Sequence, residues 1–222
     1  MKPVQTLIDE ELSKSRSTPR KRSGKFSPSS FGRCIRSQVW NRADVKKTND
    51  VDERMLRVFK VGHLFHDFVQ SVIVTNDPTI QTEVKVEEDD VIGFADIVTE
   101  EGVVDIKTVH SGAFHYMKDD ISESKKPNIL QVAYYARKLG KGKFSLCFVS
   151  KDDLCIKEVA FVLNDRWEKE LDWELKTLRL AWMMYPEKLT PAIPRAYCDK
   201  NGKSKECAYC SYKTLCESKG AK

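Results

Sequence analysis

The sequence predicts a mixed α/β fold: a central mixed β-sheet flanked by helices, with a cysteine-rich segment at the C-terminal end. Three observations predict it. Stretches of alternating apolar residues, such as "TIQTEVKVEE", and short apolar runs, such as "KFSLCFVS", stand among stretches with helical spacing, such as "NILQVAYYARKLG". Their order is helix, helix, three strands, helix, two strands, helix, without an internal repeat, and such interleaving places strands in one sheet with helices on its faces. A chain of 222 residues with 41% hydrophobic and 32% charged residues can also bury one sizeable core.

Each element has its own signal. Residues 1–26 are polar and basic, and "KSRSTPRKRSGK" reads as a flexible arm. A first helix is expected from Ser27 as N-cap, with Pro28 at its first position and Phe31, Ile35 and Val39 on one face. The second, "DERMLRVFKVGHLFHDFVQSVIV", is apolar enough to be expected buried. "TIQTEVKVEE" is a strand, and "VIGFADIVTEEGVVDIKTVH" is two strands joined by a tight turn at Glu100, Glu101 and Gly102. The polar loop "KDDISESKKP" leads into "NILQVAYYARKLG", which Gly140 stops. Two strands, "KFSLCFVS" and "LCIKEVAFVL", precede a helix from Asp165 to Tyr185, and Pro186, Pro191 and Pro194 end regular structure. The expected organisation is an arm over 1–26, a core over 27–194 and a cysteine-rich segment over 195–222.

Charge is unevenly spread. Residues 1–47 hold 12 Lys/Arg against 4 Asp/Glu and residues 195–222 hold 7 against 3, so both ends are basic around an acidic centre. That suits a chain that grips a polyanion and presents carboxylates to it; on charge alone, a solvated basic tail explains it equally well. No apolar run reaches membrane-spanning length and the N-terminus lacks an apolar leader, so a cytoplasmic location is expected. Disulfides are rare there, and cysteines more often bind metal or fill core.

The most informative stretch is "GFADIVTEEGVVDIKT". Asp105 and Lys107, two apart on a strand, share a face. A two-residue turn at Glu100-Glu101 pairs Thr99 with Gly102 and, in the same register, Asp96 with Asp105. Two carboxylates so close call for a cation between them. Mg²⁺ favours such oxygens and keeps positions open for water and phosphate. With Lys107 to steady the attacking water or the charge building on phosphorus, the set suits metal-assisted phosphodiester hydrolysis. Taken alone, Asp-x-Lys is a common string, more often a surface ion pair than a site.

In "GFAD…VVDIKT" the chain resembles the PD-(D/E)XK nucleases, with Asp96 as the first acid and Asp105-Ile106-Lys107 as the D-x-K element. Ala95 stands where that signature has proline. Gly62 and His66 in "GHLFH", and Gln131 and Tyr135 in "QVAYY", are similar to the G-x3-H and Q-x3-Y patterns of the RecB-like branch, which includes CRISPR-adaptation nucleases and phage recombination exonucleases. The resemblance runs from about Ser27 to Cys216 and implies a restriction-endonuclease-like core. It also implies that His66, Asp96, Asp105 and the backbone carbonyl of Ile106 hold Mg²⁺ or Mn²⁺. Lys107, Gln131 and Tyr135 would serve the chemistry, Gln131 and Tyr135 contacting a phosphate or bracing Lys107, though they equally suit a helix face packed on the sheet. His63, one helical turn from His66, is its rival. Glu83, in the first strand, could add an acid to the metal, although strict alternation leaves it as free to face water.

Seven cysteines are present, of which Cys147 and Cys155 lie in apolar strands as expected core thiols. "CAYCSYKTLC" sets Cys207, Cys210 and Cys216 at C-x2-C-x5-C, and either Cys198 or Cys34 could complete a quartet. Spacing does not choose between zinc and an iron–sulfur cluster. The RecB-like resemblance, with one cysteine before the core and three after it, implies a [4Fe–4S] cluster on Cys34, Cys207, Cys210 and Cys216, with zinc and Cys198 as the alternative. Such a cluster would close a loop across nearly the whole chain.

The expected activity is that of a metal-dependent DNA exonuclease acting on single-stranded or end-bearing DNA. A structure-specific endonuclease with structural zinc, and a DNA-binding or scaffold module without chemistry, are the alternatives. DNA is the expected partner, together with a recombination or CRISPR-type protein and no membrane. Basic residues Arg20, Lys21, Arg22, Lys25, Arg33 and Arg36, with Lys200, Lys203, Lys205 and Lys213, would bind phosphates. Phe31, Trp40, Tyr209 and Tyr212 are available to stack on bases or to pack in the core.

Overall fold

Strands β1 (Gln81–Glu87), β2 (Ile92–Val98), β3 (Gly102–Val109), β4 (Lys143–Ser150) and β5 (Ile156–Val162) pair side by side in that order into one sheet. β3 and β4 run parallel and all other neighbours antiparallel, so the sheet is mixed, as the element order demands. A parallel pair needs a crossover, and helix α5 (Lys126–Lys138) provides it, packing on both β3 and β4. The structure, a computed structural model, describes residues 2–17, 23–185 and 205–218.

The main core lies between the sheet, α5 and helix α6 (Asp165–Met183), with Val103, Leu130, Tyr134, Phe144, Trp167 and Leu171 among its buried residues. A smaller core on Val69, Ile97, Ile106 and Val149 packs helix α3 (Glu53–Asn76) against the sheet. α3 begins at Asp52, whose side chain accepts the Met55 N–H, a cap contributing about 1 kcal/mol. Among the described residues no helix is long and apolar enough to cross a membrane.

Several expectations are corrected. The segment expected as a flexible arm contains helix α1 (Val4–Ser17), packed on α3 through an ion pair of 2.5 Å between Asp9 and Arg57. Its charge hid a helical spacing of Val4, Leu7, Ile8 and Leu12. The helix expected from Ser27 is a single 3-10 turn over Pro28–Ser30, and α2 (Ile35–Arg42) starts only after Gly32, whose φ is +69°. α3 is not a buried helix: Val69 alone is fully buried, while Val61, Leu64, Phe68 and Val72 line its outer face in solvent. Apolar content predicts burial only when another element covers the face, and the sheet and α1 leave these residues uncovered. Helix α4 (Ser111–His115) follows β3, where no helix was expected. Cys147 is buried as expected, but Cys155 precedes β5 and is exposed.

Candidate functional site

The β2–β3 hairpin turns at Glu100-Glu101, with Thr99 N–H donating to the Gly102 carbonyl at 2.9 Å. Its paired residues are Val98 with Val103 and Ile97 with Val104, the register that brings Asp96 to Asp105 one step further on. There the ladder stops. The Ile106 N–H donates at 2.7 Å to Asp96 Oδ2, a side chain in the place of a backbone acceptor, and the strands part. N–H and C=O of one strand residue leave on the same side, so the Ile106 carbonyl also faces this gap.

Asp96 turns toward α3, where His66 Nε2 lies 2.9 Å from Asp96 Oδ2. Glu83 joins them. Its backbone takes φ of +51°, rare for a non-glycine residue, between the pairs Thr82–Ile97 and Val84–Ala95. The register is the same on both sides of Glu83, which places it across from Asp96 on one face of the sheet. Ligand atoms of His66, Glu83 and Asp96 all fall within 4.8 Å of one another, a possible metal site. His63 is exposed and outside the group.

Asp105 stands beside this triad, 1% exposed. Burial, above all, raises its carboxyl to about 7; the charge of Lys107 opposes the shift and that of Asp96 adds to it. The Lys107 ammonium lies 2.7 Å from Asp105 Oδ2 as an ion pair and donates to Gln131 Oε1 at 3.2 Å. Asp105 Oδ1, wholly buried, has no hydrogen-bond partner among the described residues. An orphaned buried oxygen beside a cluster of acids is what a cation would satisfy. Carboxylates, a carbonyl and one imidazole form a donor set suited to Mg²⁺ or Mn²⁺. For His66, burial acts to lower the pKa, but the hydrogen bond and charge of Asp96, with Glu83 and Asp105 beyond, raise it overall.

Tyr135 reaches the same gap from α5. Burial, and then the charges of Asp105 and Asp96, raise its pKa, while the Phe94 backbone and Gln131 hydrogen-bond it. Its hydroxyl comes so near β2 that a Cβ at Gly93 would collide with it. The glycine of "GFAD" is therefore the space for the tyrosine of "QVAYY".

A second cluster joins the chain ends. Cys34 caps α2, and its N–H donates at 2.8 Å to Glu206 Oε1 on α7 (Lys205–Ala208). Thr48 and Asn49 donate their N–H groups to the Ser211 carbonyl, and Trp40 packs edge-on against Tyr212 at 5.5 Å, before α8 (Lys213–Ser218). Burial pushes the Cys34 thiol up to about 11, opposed by a Ser37 hydrogen bond, with Glu206 and Cys210 adding to the rise. Burial likewise raises Cys210, which feels Cys207 and Cys216 as neighbours. The buried Arg36 guanidinium donates to Cys216 Sγ at 3.0 Å. Cys210 thus has the other three cysteines in its surroundings, but among the described residues no three of these thiols lie within 4.8 Å of one another. Cys198, Arg20, Lys21, Arg22, Lys200 and Lys203 lie outside the described residues.

No protein-family model matches the sequence, and no curated protein matches it. Solved structures do match. SSO0001 superposes with a TM-score of 0.59 at 15% identity, covering 98% of each chain. The alkaline exonuclease LHK-Exo from Laribacter hongkongensis, in complex with dAMP, gives 0.55 at 14% identity over 74% of this chain and 90% of that one. A phage-related exonuclease from Haemophilus somnus 129PT gives 0.54 at 12% identity, over 85% of this chain and 100% of its own. The chain shares its fold with SSO0001 and with these two exonucleases. On this fold the parted strands and the cysteine seam are the two places where side-chain chemistry collects.

Residues outside the motifs also serve the site. Gln70, one turn after His66 on α3, donates through Nε2 to Glu83 Oε1 and to the Asp96 carbonyl, both at 2.9 Å. Its spacing from His66 was a usable signal, since residues four apart share a helix face. Among the aromatics, Phe31, Trp40 and Tyr212 are buried and belong to the core; Tyr209 is exposed.

Proposed function

We propose that this chain is a divalent-metal-dependent DNA exonuclease acting on single-stranded or end-bearing DNA. The observation that carries the proposal is the buried, partnerless Asp105 Oδ1 where β2 and β3 part, next to the His66–Glu83–Asp96 triad and Lys107. Asp96, Asp105, Glu83, His66 and the Ile106 carbonyl would hold Mg²⁺ or Mn²⁺. A bound divalent ion supplies Lewis-acid polarisation of a phosphoryl oxygen and an acidified water.

The protein's own part is positioning. The Lys107 ammonium, tied to Asp105 and Gln131, presents a fixed positive charge to the phosphoryl oxygens where charge builds during displacement. Gln131 and Tyr135 keep Lys107 and the strand gap in register. The exonucleases of the same fold support the reading. A closed circular DNA should survive with Mg²⁺ while its linearised form is degraded. Cutting of the closed circle would favour an endonuclease, and binding of both without cutting would favour a non-catalytic module.

We further propose that Cys34, Cys207, Cys210 and Cys216 carry a [4Fe–4S] cluster whose role is structural. Cys34 is held to α7, just ahead of Cys210, by its N–H bond to Glu206, which supports its place in the quartet. Anaerobically purified protein should be brown and contain iron and sulfide. One zinc per chain that persists in Cys34→Ser would assign the metal to a quartet with Cys198.

A further inference from the structure

A cavity of about 520 Å³ opens along the seam between α2 and the C-terminal helices. Its wall includes Arg33, Lys47, Ser37, Asn41 and Tyr209, with one carboxylate, Glu206, already engaged by the Cys34 N–H. That volume lies within the range of small-ligand sites, but such sites are mostly apolar, and this one offers two cations and several hydrogen-bonding groups. Its walls are not loose ends meeting by chance. The Cys34 N–H to Glu206 bond at 2.8 Å closes one side, and the Thr48 and Asn49 N–H bonds to Ser211, at 2.9 and 3.0 Å, close another.

Tyr209 is the anomaly. It is 82% exposed, whereas Trp40 and Tyr212, its aromatic neighbours in the same seam, are buried. A large ring held at the rim of a cationic cavity has one π-face for a base and nearby charges for the phosphates. A second cavity, of about 700 Å³ at the hairpin turn, is lined by Asp77, Glu100, Glu101 and Glu158 and would repel the same ligand.

We propose that this cavity binds an unpaired nucleotide of a DNA single strand, its base stacked on Tyr209 and its phosphate drawn to Arg33 and Lys47. The proposal builds on the nuclease reading by giving the single strand a second foothold away from the metal site. Binding neither breaks nor forms a covalent bond there.

The test is fluorescence anisotropy of the full chain with a fluorescein-labelled oligothymidylate and with a blunt duplex, in EDTA so that nothing is cut. Tyr209→Ala and Tyr209→Leu should weaken single-strand binding at least about fivefold, Tyr209→Trp should preserve it, and duplex binding should change little. Arg33→Gln should lower the slope of log affinity against log salt by about 0.7. Unchanged melting curves and cysteine-bound metal content identify variants whose seam is intact. Tyr209→Leu binding the strand as well as wild type, with an unaltered salt slope in Arg33→Gln, overturns the proposal. So does equal weakening on duplex, or displacement of the strand by an equal concentration of thymidine monophosphate, which would reassign the cavity to free nucleotide. A wild-type chain that shows Tyr209-dependent binding yet cuts no DNA with Mg²⁺ would sink the nuclease reading and leave this one standing.

Discussion

The parted strands and the cysteine seam gather reactive side chains in opposite ways. At the strands, Asp96 and Asp105 are nine residues apart in one hairpin, and sheet geometry brings them together before any metal arrives. At the seam, Cys34 meets residues more than 170 positions later, and the contact rests on a few hydrogen bonds and the Trp40–Tyr212 pair. The first site is a consequence of the fold and the second helps to hold the fold closed. Removing a ligand from the strands should therefore disturb chemistry, and removing one from the seam should disturb structure.

The largest structural effect is expected from Cys210→Ser. It should abolish iron binding, lower the melting temperature by about 5 °C or more and expose the C-terminal segment to protease, consistent with losing a few kcal/mol of loop closure. Mn²⁺ binding at the strands, followed by electron paramagnetic resonance, should remain. If it disappears too, the two regions are one unit and the comparison fails.

Gln70→Ala tests the reverse. Without the bonds that hold Glu83 and the Asp96 backbone, Mn²⁺ affinity should fall roughly 10- to 100-fold, with melting temperature and iron content unchanged. An unaltered Mn²⁺ isotherm would show that strand pairing alone orients Glu83. Gly93→Ala should be intermediate, costing about 1–3 kcal/mol in urea denaturation as Tyr135 is displaced. A second change, Tyr135→Phe, should recover part of that loss if the hydroxyl is the obstacle.

The last effect is a pH dependence. In metal-free protein Asp105 titrates near 7, against about 3.9 in an unfolded chain. Between those values the native state binds the extra proton, so stability should fall as pH rises through the window and level off above it. Mn²⁺ must displace that proton, so its affinity should rise from pH 6 to pH 8. Asp105→Asn should flatten the stability profile; a wild-type profile already flat would place the titration elsewhere.

Much of this architecture was legible because its signals are local. Alternation located the strands, the turn at Glu100-Glu101 set the register, and the helix expected from Asp165 is α6. What was missed depends on contacts across the chain. The positive φ of Glu83 arises within a strand that otherwise alternates, so nothing short of the backbone shows that its carboxylate joins His66. α3 reads as buried by composition, yet Val61, Leu64, Phe68 and Val72 stay exposed along one face. Gln70 carries no signature beyond its distance from His66. Tyr209 and Tyr212, three apart in sequence, differ completely in exposure because one faces Trp40 and the other faces the cavity.

The central claim is that the gap between β2 and β3 is a divalent-metal site that hydrolyses DNA. End-labelled linear DNA incubated with the purified chain should be degraded with Mg²⁺ or Mn²⁺ and left intact in EDTA. Asp105→Asn should reduce the rate at least about 10²-fold while DNA binding and fold persist. Degradation that continues in EDTA, or at an undiminished rate in Asp105→Asn, would contradict it.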